Sequence, residues 1–326
     1  MVADAAPPGG LRVVYFGTPA FALPTLEALI ASPHNVVAAV TQPDRPRGRG
    51  QQISDAPVKA TAVAHGIPVL QPDRLKDPAF LDRIRALAPD VGVVAAYGRI
   101  LPQALLDLPR LGLLNVHASL LPTYRGAAPV HRAVMAGETT TGVTIMRVVL
   151  ALDAGPMLAA RARPIGADET SEDVERDLAR LGAVLLVETI AKLAAGRAIE
   201  TAQDHSRATY APRLTRADGE VDWRRPAVEL HNLIRGLHPW PHAFSSLGGQ
   251  RYVLHRAAIE PGTVSGEPGE VLRASGDTLL IAAGGATALR LLAIQPEGKR
   301  AMRAREFLAG RRIPPGARFG PGPDGP

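Results

Sequence analysis

From Leu11 to Val116, short runs of consecutive apolar residues alternate with stretches in which apolar positions recur at helical spacing. The runs Leu11–Phe16, Asn35–Thr41, Pro68–Leu70, Asp90–Ala95 and Leu111–Val116 predict buried strands. Pro19–Ser32, Pro57–Gly66, Asp77–Ala88 and Pro102–Leu108 predict the helices between them. This alternation predicts an α/β fold with a Rossmann-like, mostly parallel sheet. Thr144–Val149 and Pro156–Pro164 read as added edge strands. Thr170–Ala195 reads as a long amphipathic helix capped by Thr170 or Ser171.

Beyond that helix the rhythm changes. Residues 197–210 are polar and weakly periodic, which suits a linker. A short helix over Ala227–Leu237 then leads into strands from Ala243 to Ile294, punctuated at Gly248-Gly249, Gly266, Gly276 and Gly284-Gly285, the pattern of a small barrel. The expected organisation is a disordered extension over 1–10, a catalytic α/β domain over 11–196, a linker over 197–210, a β-rich domain over 211–313 and a Pro- and Gly-rich disordered tail over 314–326.

Composition narrows the class. The 326 residues have room for two domains, and the absence of cysteine excludes disulfides and thiolate metal sites. No signal peptide or membrane-spanning run is recognisable, so a cytoplasmic location is the simplest expectation, with no membrane partner. A net charge of +6 favours polyanionic partners and raises the expectation of RNA only modestly.

The chemistry concentrates around one strand end. Asn115 and His117 lie two positions apart and project from the same face where the fifth predicted strand runs out; Pro122 and Pro129 shape the loop that follows. In an open α/β sheet, that is the edge at which ligands bind. An amide and an imidazole there can stabilise the oxyanion of a tetrahedral acyl centre, and Asp153, in a Leu-Asp-Ala-Gly-Pro turn, can orient the ring and accept a proton. No cysteine and no Gly-x-Ser-x-Gly elbow is present, so direct attack by a bound amine or water is favoured over a covalent acyl-enzyme.

Other features carry less. Phe16-Gly17-Thr18-Pro19 has too few glycines for a dinucleotide site and reads as a tight turn. His231, His238 and His242 suggest a metal site, but Pro239 and Pro241 interrupt any helix that would align them and no Cys or carboxylate completes a shell, so no metal is expected. Trp240, between two prolines, reads as a core or interdomain plug. Arg45, Arg47 and Arg49 alternate with Pro46, Gly48 and Gly50 in a loop that could clamp phosphates or stack on unpaired bases.

Together, Asn115-Val116-His117 with Ser119-Leu120-Leu121-Pro122 and the distal Asp153 resemble the signature of the 10-formyltetrahydrofolate-dependent formyltransferases. Further matches at Val14–Pro19, Gln42–Gly50, Val221-Asp222-Trp223, Pro239-Trp240-Pro241 and Gln295–Met302 make nearly the whole chain similar to the branch of that family that formylates methionyl-tRNA. The resemblance implies Asn115, His117 and Asp153 as catalytic residues and Ser119, Leu120, Leu121 and Pro122 as part of the wall for 10-formyltetrahydrofolate, a cosubstrate used without metal. It further implies an oligonucleotide-binding-like (OB-like) barrel. The acceptor would be initiator methionyl-tRNA, approached by Arg45, Arg47 and Arg49 and by the basic end of the barrel at Lys299, Arg300 and Arg303, with Arg305, Arg311 and Arg312 beyond, and the protein would act as a monomer. The rival acceptor is a nucleotide-linked amino sugar; enzymes of that kind usually lack the Arg45–Gly50 type of loop. Purine-pathway formyltransferases and formyltetrahydrofolate hydrolases share only the catalytic domain, and a non-catalytic RNA-binding protein would leave the catalytic trio unexplained.

Overall fold

The apolar runs of the first half become the strands of one sheet in the computed structural model, which describes residues 10–44, 46–47, 52–53, 55–314 and 316–320. The strands up to Ala211 are β1 (Arg12–Gly17), β2 (Asn35–Val40), β3 (Pro46–Arg47), β4 (Gln52–Ile53), β5 (Val69–Leu70), β6 (Val91–Ala95), β7 (Leu113–His117), β8 (Arg125–Gly126), β9 (Thr140–Arg147), β10 (Met157–Pro164) and β11 (Tyr210–Ala211), of which β3 with β4 and β8 with β11 form separate two-stranded sheets. The helices among them are α1 (Leu23–Ile30), α2 (Pro57–Ala64), α3 (Pro78–Ala86), α4 (Gln103–Leu106), α5 (Pro129–Met135) and α6 (Ser171–Ala194). The main sheet has the order β10-β9-β7-β6-β1-β2-β5. Strands β5, β2, β1, β6 and β7 run parallel, and β9 pairs antiparallel to β7. Val14, Phe16, Ala38, Val40 and Ile84 belong to one buried cluster, which explains why these strands read as continuous apolar runs.

Proline sets several helix starts, because its missing N–H falls where the helix has no acceptor to offer. Pro24, Pro57 and Pro78 occupy the first turns of α1, α2 and α3, and Asp77 caps α3 by accepting from the Ala79 amide at 3.0 Å. Residues 19–32 therefore divide into a 3-10 turn over Ala20–Ala22 and the helix α1, rather than one helix from Pro19. At α6 the cap is Thr170: its hydroxyl accepts from the Asp173 amide at 3.3 Å while Asp173 Oδ2 accepts from the Thr170 amide at 3.2 Å. The Ser171 hydroxyl is used otherwise, donating to the Gly236 carbonyl at 2.7 Å.

Two readings of the sheet need correction. The strand expected at Thr144–Val149 begins at Thr140 and lies between β7 and β10, so it is interior, and of the two strands read as edges β10 alone is one. Its burial pattern, fully buried from Thr141 to Met146, is that of a covered strand. Pro129, read as loop punctuation, instead opens α5.

The chain divides into two compact units: one contains residues up to Pro129 with Thr140–Arg163 and Glu175–Ala211, the other Val130–Thr139, Pro164–Val174 and everything from Pro212. The second unit is built from α7 (Ala227–Gly236), β12 (Ala243–Leu247), β13 (Gln250–Glu260), β14 (Val271–Ser275), β15 (Thr278–Ala283), β16 (Thr287–Pro296), β17 (Met302–Arg303), α8 (Ala304–Gly310) and β18 (Phe319–Gly320). Its antiparallel sheet runs β14-β15-β16-β13-β12-β18, with β17 paired to β16. The Val271 amide donates to the Ala317 carbonyl at 2.9 Å and the Phe319 amide to the Gly269 carbonyl at 2.8 Å, which curls the sheet into a small barrel. Although the tail reads as unstructured from Pro314, Phe319 is buried and supplies this closing strand. Trp223 packs against Phe319 and donates its indole N–H to Ser245 Oγ at 2.9 Å. Trp240 is 51% exposed, so Trp223 rather than Trp240 fills the core.

Candidate active site

Strand β7 carries the site to its carboxyl end. Alternation puts Asn115 and His117 on one face, opposite Met146 and Thr144 of β9. The Asn115 side chain is half-buried and makes no hydrogen bond to another described residue, so its amide is available to a ligand. His117 is buried, and its Nε2 lies 3.0 Å from the Tyr124 carbonyl oxygen. A carbonyl only accepts, so Nε2 is the nitrogen that carries hydrogen. Nδ1 then faces Asp153 Oδ2 at 3.7 Å, a distance for charge pairing rather than a hydrogen bond.

Asp153 is held there by backbone constraints. Its φ is +47°, in the left-handed region, and its Oδ2 accepts from the Gly126 amide at 2.8 Å. At Gly155, a Cβ would sit 2.0 Å from the Arg147 carbonyl oxygen, so the turn carrying Asp153 closes only with glycine.

A second set of residues stabilises this arrangement, and most of it left no mark in the sequence pattern. Gln203 donates through Nε2 to the carbonyls of Asp153 at 2.9 Å and Gly155 at 2.7 Å, while its Oε1 accepts from the buried Arg125 guanidinium at 2.6 and 3.1 Å. Arg125 also donates to His205 Nδ1 at 3.0 Å. The amides of Tyr124, Arg125, Ala127 and Ala128 donate to Thr209 Oγ1, the Thr209 carbonyl and, twice, the Ala211 carbonyl. Residues 197–210 thus supply contacts that their weak periodicity does not announce. Arg125 could have been suspected from the Tyr-Arg-Gly segment; Gln203, 78 residues away, had no such signal.

Ser119 and Leu121 of the expected cosubstrate wall are buried, whereas Leu120 and Pro122 are half-buried. The Ser119 hydroxyl donates to the Thr123 carbonyl at 2.6 Å and the Thr144 hydroxyl to the Ser119 carbonyl at 2.7 Å, so Ser119 shapes the loop. In the same unit, a cleft of about 710 Å³ is lined by Leu75, Arg99, Ile100, Leu101 and Leu150. It is formed by the loops after β5 and β6 and by the loop that carries Asp153, with Ile100 79% and Leu150 58% exposed. The sequence reading did not single out these two apolar residues.

Of the basic loop, Arg45 and Arg49 lie outside the described residues, and Arg47 falls on β3, whose backbone pairs with β4 at Arg47↔Gln52. At the end of the barrel Lys299, Arg300 and Arg303 are exposed, as are Arg305 and Arg312. Arg300 pairs with Glu306 at 3.3 Å, and the Arg303 amide donates to Glu306 Oε2 at 3.0 Å, which together hold the Glu306 carboxyl below its ordinary value. Arg311 differs from its neighbours: half-buried, its guanidinium lies 5.3 Å from the Tyr252 ring centroid and bonds to Gln250.

Comparisons with known proteins place the chain in a family. Residues 11–190 match the family model described as formyl transferase, and 213–312 match the formyl transferase C-terminal domain. The methionyl-tRNA formyltransferase of Geobacter sulfurreducens is 48% identical over 311 residues, 95% of this chain and 97% of that protein. The methionyl-tRNA formyltransferase of Acidobacterium capsulatum is also 48% identical, over 95% of this chain and all (100%) of its own length. Among solved structures, the N-formyltransferase from Helicobacter canadensis in complex with folinic acid and dTDP-3-aminofucose has a TM-score of 0.67 at 15% identity, covering 88% of this chain and 99% of that one. HypX from Aquifex aeolicus in complex with tetrahydrofolic acid has a TM-score of 0.63 at 17% identity, over 92% of this chain and 47% of that one. At such identities the two structures speak for the fold alone. Full-length similarity near one-half, together with matches to both domain models, shows that the chain belongs to the methionyl-tRNA formyltransferase family.

Proposed function

We propose that the protein transfers the formyl group of 10-formyltetrahydrofolate to the α-amino group of methionine carried by initiator tRNA, by direct attack of the amine. The observation that carries this reading is the meeting of Asn115, His117 and Asp153 at the end of β7, in a chain 48% identical to a methionyl-tRNA formyltransferase along nearly all its length.

The roles follow from the contacts. The amine nitrogen attacks the formyl carbon, and the carbonyl oxygen becomes an oxyanion. The free amide of Asn115 is the donor for that oxygen. An α-amino group with an ordinary pKa of about 7.7–8.0 is partly protonated at neutral pH, so the site must take the neutral amine or remove its proton. Asp153, directly or through a water, accepts the proton that the amine loses. His117 delivers a proton to the departing folate nitrogen as the carbon–nitrogen bond breaks, and Asp153, 3.7 Å from its Nδ1, passes the amine's proton back to the ring. One amine proton thus ends on the folate nitrogen, and the formyl group ends on the methionine.

The cleft lined by Leu75, Ile100, Leu101 and Leu150 offers apolar walls to the flat faces of a pterin, whose polar edge would bind backbone groups, and Leu120 and Pro122 extend the wall. Arg45, Arg47 and Arg49 contact the acceptor stem, and Lys299, Arg300 and Arg303 contact the tRNA from the barrel. Neutralising the three loop arginines should flatten the salt dependence of tRNA use by about one slope unit for each phosphate left without its cation. The protein acts in the cytoplasm as a monomer.

The test is to incubate the purified protein with 10-formyltetrahydrofolate and, in parallel, initiator methionyl-tRNA, uncharged tRNA, a nucleotide-linked amino sugar, or water, and to identify products by mass. Formylmethionyl-tRNA is expected. A formylated sugar, or formate alone, would overturn the assigned acceptor.

A further inference from the structure

The barrel unit gathers three imidazoles outside the catalytic site. His238 and His242 lie in the turn after α7, which closes when the His242 amide donates to the Leu237 carbonyl at 3.0 Å. His255 comes from β13. The prolines that bar a helix at 239 and 241 do not keep the two turn histidines apart, because the turn itself folds them together, with ring centroids 5.3 Å apart. His242 and His255 are closer still, at 4.6 Å. His231 is not part of the group; it faces Asp168 at 3.3 Å.

We propose that His238, His242 and His255 form a binding site for one zinc ion. Each offers a ring nitrogen, and the three nitrogens lie within 4.8 Å of one another. Tetrahedral zinc with nitrogen ligands needs separations of about 3.3 Å, so closing the set requires each ring to turn by about 1.5 Å at most. The half-buried rings leave a fourth position open to water.

Three further observations point the same way. The Nδ1 atoms of His238 and His242 are buried and have no hydrogen-bond partner among the described residues, which is unfavourable unless something takes their lone pairs. The opposite edges of two rings are held by outer partners: His238 Nε2 faces Glu172 Oε2 at 3.3 Å, and His255 Nε2 lies 2.9 Å from Gln295 Oε1. A carboxylate and an amide oxygen both accept, so each fixes hydrogen on Nε2 and leaves Nδ1 as a ligand, the arrangement that supports metal-bound imidazoles. Finally, His255 is the extra residue where β13 slips against β16, between the pairs Leu254↔Ile294 and Arg256↔Ala293, and a bulge re-aims the side chain it carries. Among divalent ions that imidazole accepts, zinc tolerates a three-nitrogen, one-water shell without a redox step.

The experiment uses the full-length, tag-free protein, stripped with a chelator and dialysed. Zinc chloride is titrated by calorimetry and followed by thermal unfolding, and cobalt chloride is added in parallel to read the visible absorption of a tetrahedral ion. The expected result is one ion per chain, a melting temperature that rises with zinc concentration, and intense cobalt bands. His255→Gln and His238→Asn should each lower affinity at least 100-fold. Glu172→Gln, which leaves all three rings in place, should lower it about 10-fold or more. Circular dichroism of the stripped variants confirms that they are folded before binding is compared. Absence of saturable zinc binding at micromolar concentration by the folded protein, or binding by both histidine variants as tight as that of the parent, would overturn the site.

Discussion

His117 in the first unit has an oxygen near each ring nitrogen, the Tyr124 carbonyl at 3.0 Å and the Asp153 carboxylate at 3.7 Å, whereas His238 and His242 in the second bury Nδ1 with no hydrogen-bond partner among the described residues. A ring flanked by oxygens has an acceptor for hydrogen on either nitrogen, and so suits a site that moves protons. Rings that face other rings offer lone pairs instead. In the second unit burial also pushes His131, His231 and His242 below their ordinary values, with Arg132 and Arg235 adding to the effect on the first two and the neighbouring rings on the third. The same side chain is therefore suited to proton transfer in one unit and to a neutral, ligating or structural role in the other.

The contrast can be tested at four places. Replacing His117 by Ala should slow single-turnover formyl transfer by roughly 100- to 10,000-fold, the range for losing a positioned acid. A near-normal rate in rapid-quench measurements would remove His117 from the chemistry. Asn115→Ala should cost roughly 100- to 1000-fold in the same assay with little change in melting temperature, since its amide bonds to no described residue. Gln203→Leu should act first on stability: it strips the Arg125 guanidinium and two carbonyls of their partner, costing about 2–3 kcal/mol in denaturant unfolding. Loss of activity in that variant without loss of stability would mean that Gln203 touches substrate.

The smallest effect concerns pH. His231 is 7% exposed, and burial, aided by Arg235 and opposed by Asp168, holds its pKa below 6.5. A depressed folded value means that the unfolded chain binds the proton more readily; the contribution to stability is whole above about pH 6.5 and is lost as pH falls through the folded value. Melting temperature should therefore fall less steeply on acidification in His231→Asn than in the parent. An identical fall would assign acid sensitivity to other groups.

These contrasts were unevenly written in the sequence. Asn115 and His117 could be paired from spacing alone, because a strand repeats every second residue and its end is marked by the break in apolar character. The cap of α6 was legible only as Thr170 or Ser171; the bonds exchanged with Asp173 decide for Thr170. Arg125 and Gln203 meet only through the fold, and nothing in their local pattern distinguishes them from surface residues. His255 lies in an ordinary strand until the slip against β16 turns it toward the rings of the turn. Neither tryptophan was separable by flanking residues; Trp223 is covered because Phe319 returns to it from far along the chain, while Trp240 has no such cover.

The seam formed by Thr209 and Ala211 has a kinetic consequence. Tyr124, Arg125, Ala127 and Ala128 all give their amide hydrogens to these two residues, so no one of them can be released while the seam is closed. Their exchange with deuterium is expected to share a single rate, set by the peeling of this short segment rather than by opening of the parallel sheet. The segment beside Asp153 would then breathe as a unit of its own.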